Sequence, residues 1–253
     1  MKQFEQQLLV RICILDVRLR CCAVRLQDHT DVEALHDLRI CLRSGRSLLR
    51  PMRGLPGVDL LEQAAAAVGR LTNPIRELQV FVAQLNALGM PDVARQRSRG
   101  LQPALVQLQS CEELPHLLQL LDGFPALWRL AAREGCMRGL RRHIGRRLES
   151  DMGKISHSPH TAPEDLHALR LRVKRLRYAS EAYPVLTPLN RRQLGLLRQL
   201  QQALGDWNDC QQWLECSLSD WQLAECRPIW LDRAQAAKNQ ADILLQRFEQ
   251  ISS

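Results

Sequence analysis

A chain of 253 residues with 45% hydrophobic content is long enough for one large domain or two modest ones with sizeable cores. Thirty-five Lys plus Arg stand against 27 Asp plus Glu, a formal charge of +8 that suits polyanionic partners without naming one. No window approaches the roughly 18 apolar residues of a membrane span, Arg11 and Asp16 interrupt the apolar run a signal peptide needs, and nine cysteines without a Cys-x-x-Cys spacing exclude a zinc ribbon or disulfide frame.

Apolar residues recur at helical spacing along the whole chain, and the β-branched and aromatic runs of strands are missing, which predicts an all-α protein. In chain order the predicted helices span 3–27, 31–53, 58–71, 74–89, 92–109, 112–122, 125–152, 163–183, 188–205, 207–219 and 228–251. Asp28 to Asp31 and Thr161 to Asp165 offer capping side chains, and Pro74 and Pro163 are placed where a first-turn proline is tolerated. "SHSPHTAPED" (156–165) reads as a loop. Pro91, Pro103, Pro115 and Pro125 mark shorter connecting helices over about 91–124.

Two stretches repeat. "LHDLRICLRSGRSLLR" (35–50) and "LHALRLRVKRLRYASE" (166–181) place His36, Arg39, Arg43 and Arg46 over His167, Arg170, Lys174 and Arg177 at a constant offset of 131. Leu38, Leu42 and Met52 fall on Leu169, Val173 and Tyr183 at the same offset. After a one-residue slip, "NPIRELQVF" (73–81) falls on "GDWNDCQQW" (205–213), pairing Arg76-Glu77 with Asn208-Asp209. The reading is therefore one domain over 1–253, built from two pseudo-symmetric helical halves of about 1–90 and 125–253.

Steps of 3, 7, 10 and 14 from His36 reach Arg39, Arg43, Arg46 and Arg50, which at about 100° per residue keep to one sector of roughly 80°. The row borders the apolar stripe Leu38, Leu42, Leu49 and Met52 rather than opposing it, so it edges a groove between helices. Like charges at i,i+4 repel by a few tenths of a kcal/mol per pair, and no acid in the row itself relieves them. Two such rows point to a counter-anion. Neither histidine has a second ligand at i+3 or i+4, so no metal and no other cofactor is expected. "HDLR" resembles the H-E-L-R opening of the phospho-accepting helix of sensor histidine kinases, but it continues Ile-Cys-Leu, without the Thr-Pro and without a Gly-rich nucleotide segment; histidine phosphotransfer is one alternative. Non-sequence-specific nucleic-acid binding is another, although only Tyr178 adjoins a row in a chain 4% aromatic, which excludes base-stacking recognition.

His-x-Leu-Arg followed by Arg or Lys at +7 and +10, present twice in an all-helical chain, resembles the CHAD domain, the conserved histidine α-helical domain. "LHALRLRVKRLRY" is similar to the second-half signature of that family and "LGDWND" (204–209) to its Leu-Gly-x-x-Asn-Asp element; "TNPIRELQVF" (72–81) is a looser match. The resemblance implies two helical bundles around a basic central channel that binds inorganic polyphosphate, often at polyphosphate granules, and the cysteine usage reads as that of a reduced, cytoplasmic chain. Its site residues would be His36, Arg39, Arg43, Arg46, Arg50 and Arg76 in the first half, and His167, Arg170, Lys174, Arg175, Arg177, Tyr178 and Asn208 in the second. Ser44, Gly45, Glu77 and Gln79 depart from the family pattern, which predicts weaker binding by the first half. The Glu-x-Glu-x-Lys string of fused triphosphate-processing domains is absent, and no activated nucleophile accompanies the basic rows, so no enzymatic activity, no membrane and no specific nucleic acid is expected.

Overall fold

The computed structural model describes residues 1–27, 33–156 and 162–252. Among them lie helices α1 (Gln3–Gln27), α2 (Ala34–Leu49), α3 (Val58–Ala87), α4 (Pro91–Ser98), α5 (Leu101–Gln109), α6 (Glu113–Arg133), α7 (Leu140–Ser156), α8 (Pro163–Ala182), α9 (Arg191–Leu218) and α10 (Arg227–Ser252), and no strand. Short 3-10 segments at Arg50–Met52 and Trp221–Cys226 extend α2 and precede α10. The all-α expectation holds. The expected capping residues at 28 to 31 and at Thr161, with 157–161 of the expected 156–165 loop, lie outside the described residues, and the ends of that loop, 156 and 163–165, are helical.

Three expected breaks are absent. Predicted helices 58–71 and 74–89 are one helix, α3, with Pro74 in its interior; 188–205 and 207–219 are likewise one helix, α9. An interior proline removes a backbone hydrogen bond and costs about 3 kcal/mol in isolation. The buried stripe overrides it: Leu61, Ala65, Val68, Thr72 and Ile75 step 4, 3, 4, 3 straight through the proline. In α9 Gln193, Leu197, Leu200, Leu204 and Trp207 keep the same cadence past Gly205. Pro125, expected to open a helix, sits inside α6, held between buried Leu121, Phe124 and Trp128. Two corrections run the other way. Residues 92–109 form α4 and α5 rather than one helix, and the expected 125–152 helix is interrupted between α6 and α7, where Gly135 and Gly139 have φ of +77° and +73°.

The chain divides into two compact units, Met1–Ile144 and Gly145–Ser253, with the division inside α7. In the first, α2 packs on α1 and α3, α6 packs on the same two helices, and α4 and α5 lie along α3. Its core gathers Leu8, Leu38, Met52, Leu61, Val68, Leu117 and Trp128. The Trp128 indole is fully buried and donates from Nε1 to the Glu5 carbonyl at 3.1 Å, so a side chain whose burial is worth about 2 to 3 kcal/mol is also polar-satisfied. Gly57 enters α3 with φ +76°, and a Cβ there would stand 2.4 Å from Leu127 Cδ2, so the α2–α3 turn requires glycine. In the second unit α9 packs against α8 and α10, with Leu169, Val173, Leu176, Leu197, Leu204, Trp230 and Phe248 buried. A reciprocal capping box opens α9: Asn190 Oδ1 accepts from the Gln193 amide and Gln193 Oε1 from the Asn190 amide, both at 2.9 Å. All nine cysteines are free thiols.

Candidate functional site

Helix α2, which packs on α3, presents His36, Arg39, Arg43 and Arg46, and the 3-10 turn adds Arg50; all five are half-buried. That partial burial follows from the sequence, since the row lies beside the apolar stripe and not opposite it. Arg39 Nη1 donates to Thr72 Oγ1 at 3.0 Å and to Asn73 Oδ1 at 2.9 Å, both on α3. The Thr72 hydroxyl, itself buried, donates a hydrogen bond to the Gly69 carbonyl at 3.1 Å. Both oxygens that hold Arg39 are neutral. Burial, then the nearby Arg76 and Arg43 charges, depress the Arg39 pKa, and Glu77 only partly opposes them. Arg76, half-buried on α3, donates to Gln79 Oε1 at 3.3 Å.

Farther along the row the geometry changes. Glu62 of α3, 2% exposed, receives Arg46 Nε at 3.1 Å and Arg50 Nε at 3.0 Å, together with a very short contact from Arg53 Nη2. Burial pushes the Glu62 carboxyl up, but the three guanidiniums outweigh it and hold it down at about 2. Arg46 is held below its usual value by burial and by Arg50, with Glu62 opposing. The repulsion that the α2 row leaves unrelieved is thus met from the neighbouring helix. One carboxylate against three guanidiniums still leaves this end of the row positive.

Helix α8 presents His167, exposed, with Arg170, Lys174 and Arg177 half-buried along the same side. His167 Nδ1 lies 3.3 Å from Oδ1 of Asn208, a buried residue of α9. In the tautomer with its proton on Nδ1 the ring donates to that amide oxygen, a contact that orients the ring plane. Asp209, next on α9, is pushed up by burial, opposed by Arg170 and Lys174, and raised further by Asp206. Arg177 is the most committed base: Nε donates to Gln201 Oε1, Nη1 to Glu181 Oε1 at 2.8 Å, and the guanidinium lies 3.9 Å over the Tyr178 ring. Arg175 stands apart. It is exposed and, at about 100° per residue, lies roughly 100° around α8 from Lys174.

The structure therefore sets Arg39, Arg46 and Arg50 against α3, which also carries Arg76, with Arg43 near Arg39, and sets His167, Arg170, Lys174 and Arg177 against α9, which carries Asn208, while Tyr178 stacks under Arg177. Sequence reasoning missed Glu62, Arg53, Thr72, Asn73 and Gln201. Glu62 did leave a signal, being an acid on the core face of "VDLLEQAAAAV" between Leu61 and Ala65. Thr72 and Asn73 left none, because a polar pair before a proline reads as a turn.

Two helix pairs, each with a histidine-headed basic row on its first helix, define an all-helical fold class. The chain belongs to the CHAD domain family, whose model matches residues 17–217. The crystal structure of the CHAD domain from the plant Ricinus communis is similar in fold, with a TM-score of 0.70 and 19% sequence identity over 96% of this chain and 91% of that one. Among curated proteins none matches this sequence. No helix among the described residues is long and apolar enough to cross a membrane.

Proposed function

We propose that the chain binds inorganic polyphosphate through the α2 and α8 basic rows, without catalysis, in the cytoplasm and at polyphosphate granules. The observation that carries this reading is Arg39: a half-buried guanidinium held by two neutral oxygens, with Arg43 and Arg76 close enough to lower its pKa. Such a cluster is unfavourable in the free protein and is relieved by a multivalent anion. Charge-assisted hydrogen bonds from these groups to phosphate oxygens contribute about 1.5 to 3 kcal/mol each.

The second row supports the same chemistry. Arg39 feels the Glu77 carboxylate of the adjacent helix, and Arg170, its match at an offset of 131, faces Asp209, the match of Glu77 at 132. This correspondence supports an internal repeat with two equivalent anion-binding rows, the arrangement from which the basic channel of the family is expected to arise. A polyanion with a regular repeat along its length suits two equivalent rows. Nucleic acid is the weaker reading, because the Tyr178 ring already carries Arg177 on one face and no other aromatic adjoins a row.

The test is affinity for long-chain polyphosphate measured beside duplex DNA and single-stranded RNA at matched phosphate and salt. Polyphosphate is expected to bind at least about tenfold more tightly than either nucleic acid. Equal affinity for all three would reduce the site to a nonspecific basic surface. Shortening or extension of polyphosphate by the purified chain would overturn the noncatalytic part.

A further inference from the structure

Helix α1 carries two apolar stripes, and its own bundle uses only one. Leu8, Ile12, Leu15, Leu19, Cys22 and Leu26 step 4, 3, 4, 3, 4 and face the first unit's core. Val10, Ile14, Val17, Cys21 and Val24 step 4, 3, 4, 3 on the opposite side, centred roughly 200° around the helix. This second stripe is exposed: Val10 51%, Ile14 47%, Val17 60% and Val24 64%. Isolated exposed aliphatics are ordinary, but a continuous seam of them at coiled-coil spacing about 21 Å long is not.

The seam borders a groove of about 550 Å³ between α1 and α6, lined by Val10, Cys13, Ile14 and Val17, with Arg18 and Arg129 as its charged members. Charge on the seam's edges identifies the occupant. One edge carries Arg11, Arg18 and Arg25, the positions that in a paired helix flank the apolar seam; Arg25 is already bridged to Asp37 at 2.7 Å. The other edge carries Cys13, Arg20 and Gln27, with Arg20 bound to Asp16 and Asp122. A second copy of α1 packed antiparallel would set these arginines against one another, and a parallel copy gains no acid opposite them. An anionic flank would instead meet Arg18 and Arg129, the charged members of the groove.

We infer that the α1–α6 groove is a docking site for an amphipathic helix of a partner protein, with apolar residues at a and d spacing and acidic residues at its edges. Apolar burial along the seam supplies affinity, and the arginine rim selects an acidic partner over a basic one. The site lies wholly within the first unit and uses none of the residues assigned to polyphosphate, so it stands independently of that reading.

The probe is a fluorescein-labelled synthetic helix of about 18 residues, long enough to cover the seam, with Leu at a and d and Glu at e and g. Its controls are a scrambled peptide of identical composition and a peptide with Lys in place of Glu. Anisotropy with the full chain is expected to show saturable one-to-one binding, at least about tenfold tighter than to either control. Ile14→Glu and Val17→Glu, both at exposed positions, should each abolish it without changing Tm or polyphosphate affinity. The double variant Arg18→Glu with Arg129→Glu should turn preference toward the Lys peptide. Equal binding of the scrambled peptide, survival of binding in Ile14→Glu, or no saturation would overturn the site. A dimer in sedimentation that Ile14→Glu dissociates would assign the seam to a second copy and overturn the acidic-helix partner.

Discussion

The Nε of Arg46 lies 3.1 Å from Oε1 of Glu62, a carboxylate buried on α3 that also receives Arg50. The one carboxylate oxygen ties α3 both to the end of α2 and to the 3-10 turn that follows it. It also makes half of the basic row part of the fold. Arg39, by contrast, is held by the neutral oxygens of Thr72 and Asn73.

Glu62→Gln should destabilise the free protein by about 3 kcal/mol, since it leaves three guanidiniums at the helix contact without their counter-charge. The acid limb adds a second readout. Glu62 titrates at about 2 rather than 4.5, so its folded-state pKa is depressed and its stabilisation is complete above about pH 4.5 and lost as pH falls toward 2. Chemical denaturation of both proteins between pH 7 and pH 2.5 should show the difference shrinking through that window. A constant difference would remove the ion-pair account.

Arg39→Gln should weaken polyphosphate binding about tenfold or more, with a change in Tm of only a few degrees. The lost hydrogen bonds to Thr72 and Asn73 are offset by removal of a charge that burial and its neighbours disfavour. Binding by titration and Tm by calorimetry, taken on one preparation, would separate a ligand contact from a structural one. Destabilisation with unchanged affinity would mark Arg39 as structural.

Salt gives an independent count of contacts. The log-log dependence of affinity on salt should be steep, and Arg39→Gln or Arg170→Gln should each make it shallower by somewhat less than one unit if the duplex-DNA rule transfers. Removing Arg95 and Arg97, on α4 and outside both rows, should leave the slope unchanged.

His167→Ala and Asn208→Ala should each lower affinity severalfold, and the double variant should lose little more than either alone. The Asn208 amide contacts the His167 ring at 3.3 Å and also hydrogen-bonds Asp209, so the two changes share the ring contact and are expected to couple by about 1 kcal/mol. Strict additivity in the cycle would uncouple them.

Asp209 provides a test by pH. Burial raises its pKa despite Arg170 and Lys174, so its ionised form is disfavoured in the folded chain, and stability is lost as pH rises from the ordinary carboxylate range through the raised value. Asp209→Asn should therefore be more stable than the parent at pH 7 and should bind polyphosphate more tightly there, because a carboxylate competing for Arg170 and Lys174 is gone. Weaker binding in this variant would show that Asp209 positions those bases rather than competing for them.

Periodicity by itself determined the helical class, and the paired His/Arg offsets determined which residues stand together on α2 and on α8, because a helix fixes angle from residue number alone. The same rule made the half-burial of Arg39 and Arg43 legible, as their row borders Leu38 and Leu42. Helix ends were less legible. Pro74, Pro125 and Gly205 each oppose helix locally by about 1 to 3 kcal/mol, and only the packing of stripes such as Val68-Thr72-Ile75 against neighbouring helices outweighs them. Tertiary structure alone decided the partners of the basic groups. Glu62, Thr72 and Asn73 reach α2 from sequence separations of 12 to 34 residues, and Gln201 reaches Arg177 across 24. Composition and spacing carry no term for which side chains a turn and a helix crossing bring within 3 Å. It was that crossing which separated the arginines spent on a buried carboxylate from the one held by neutral oxygens.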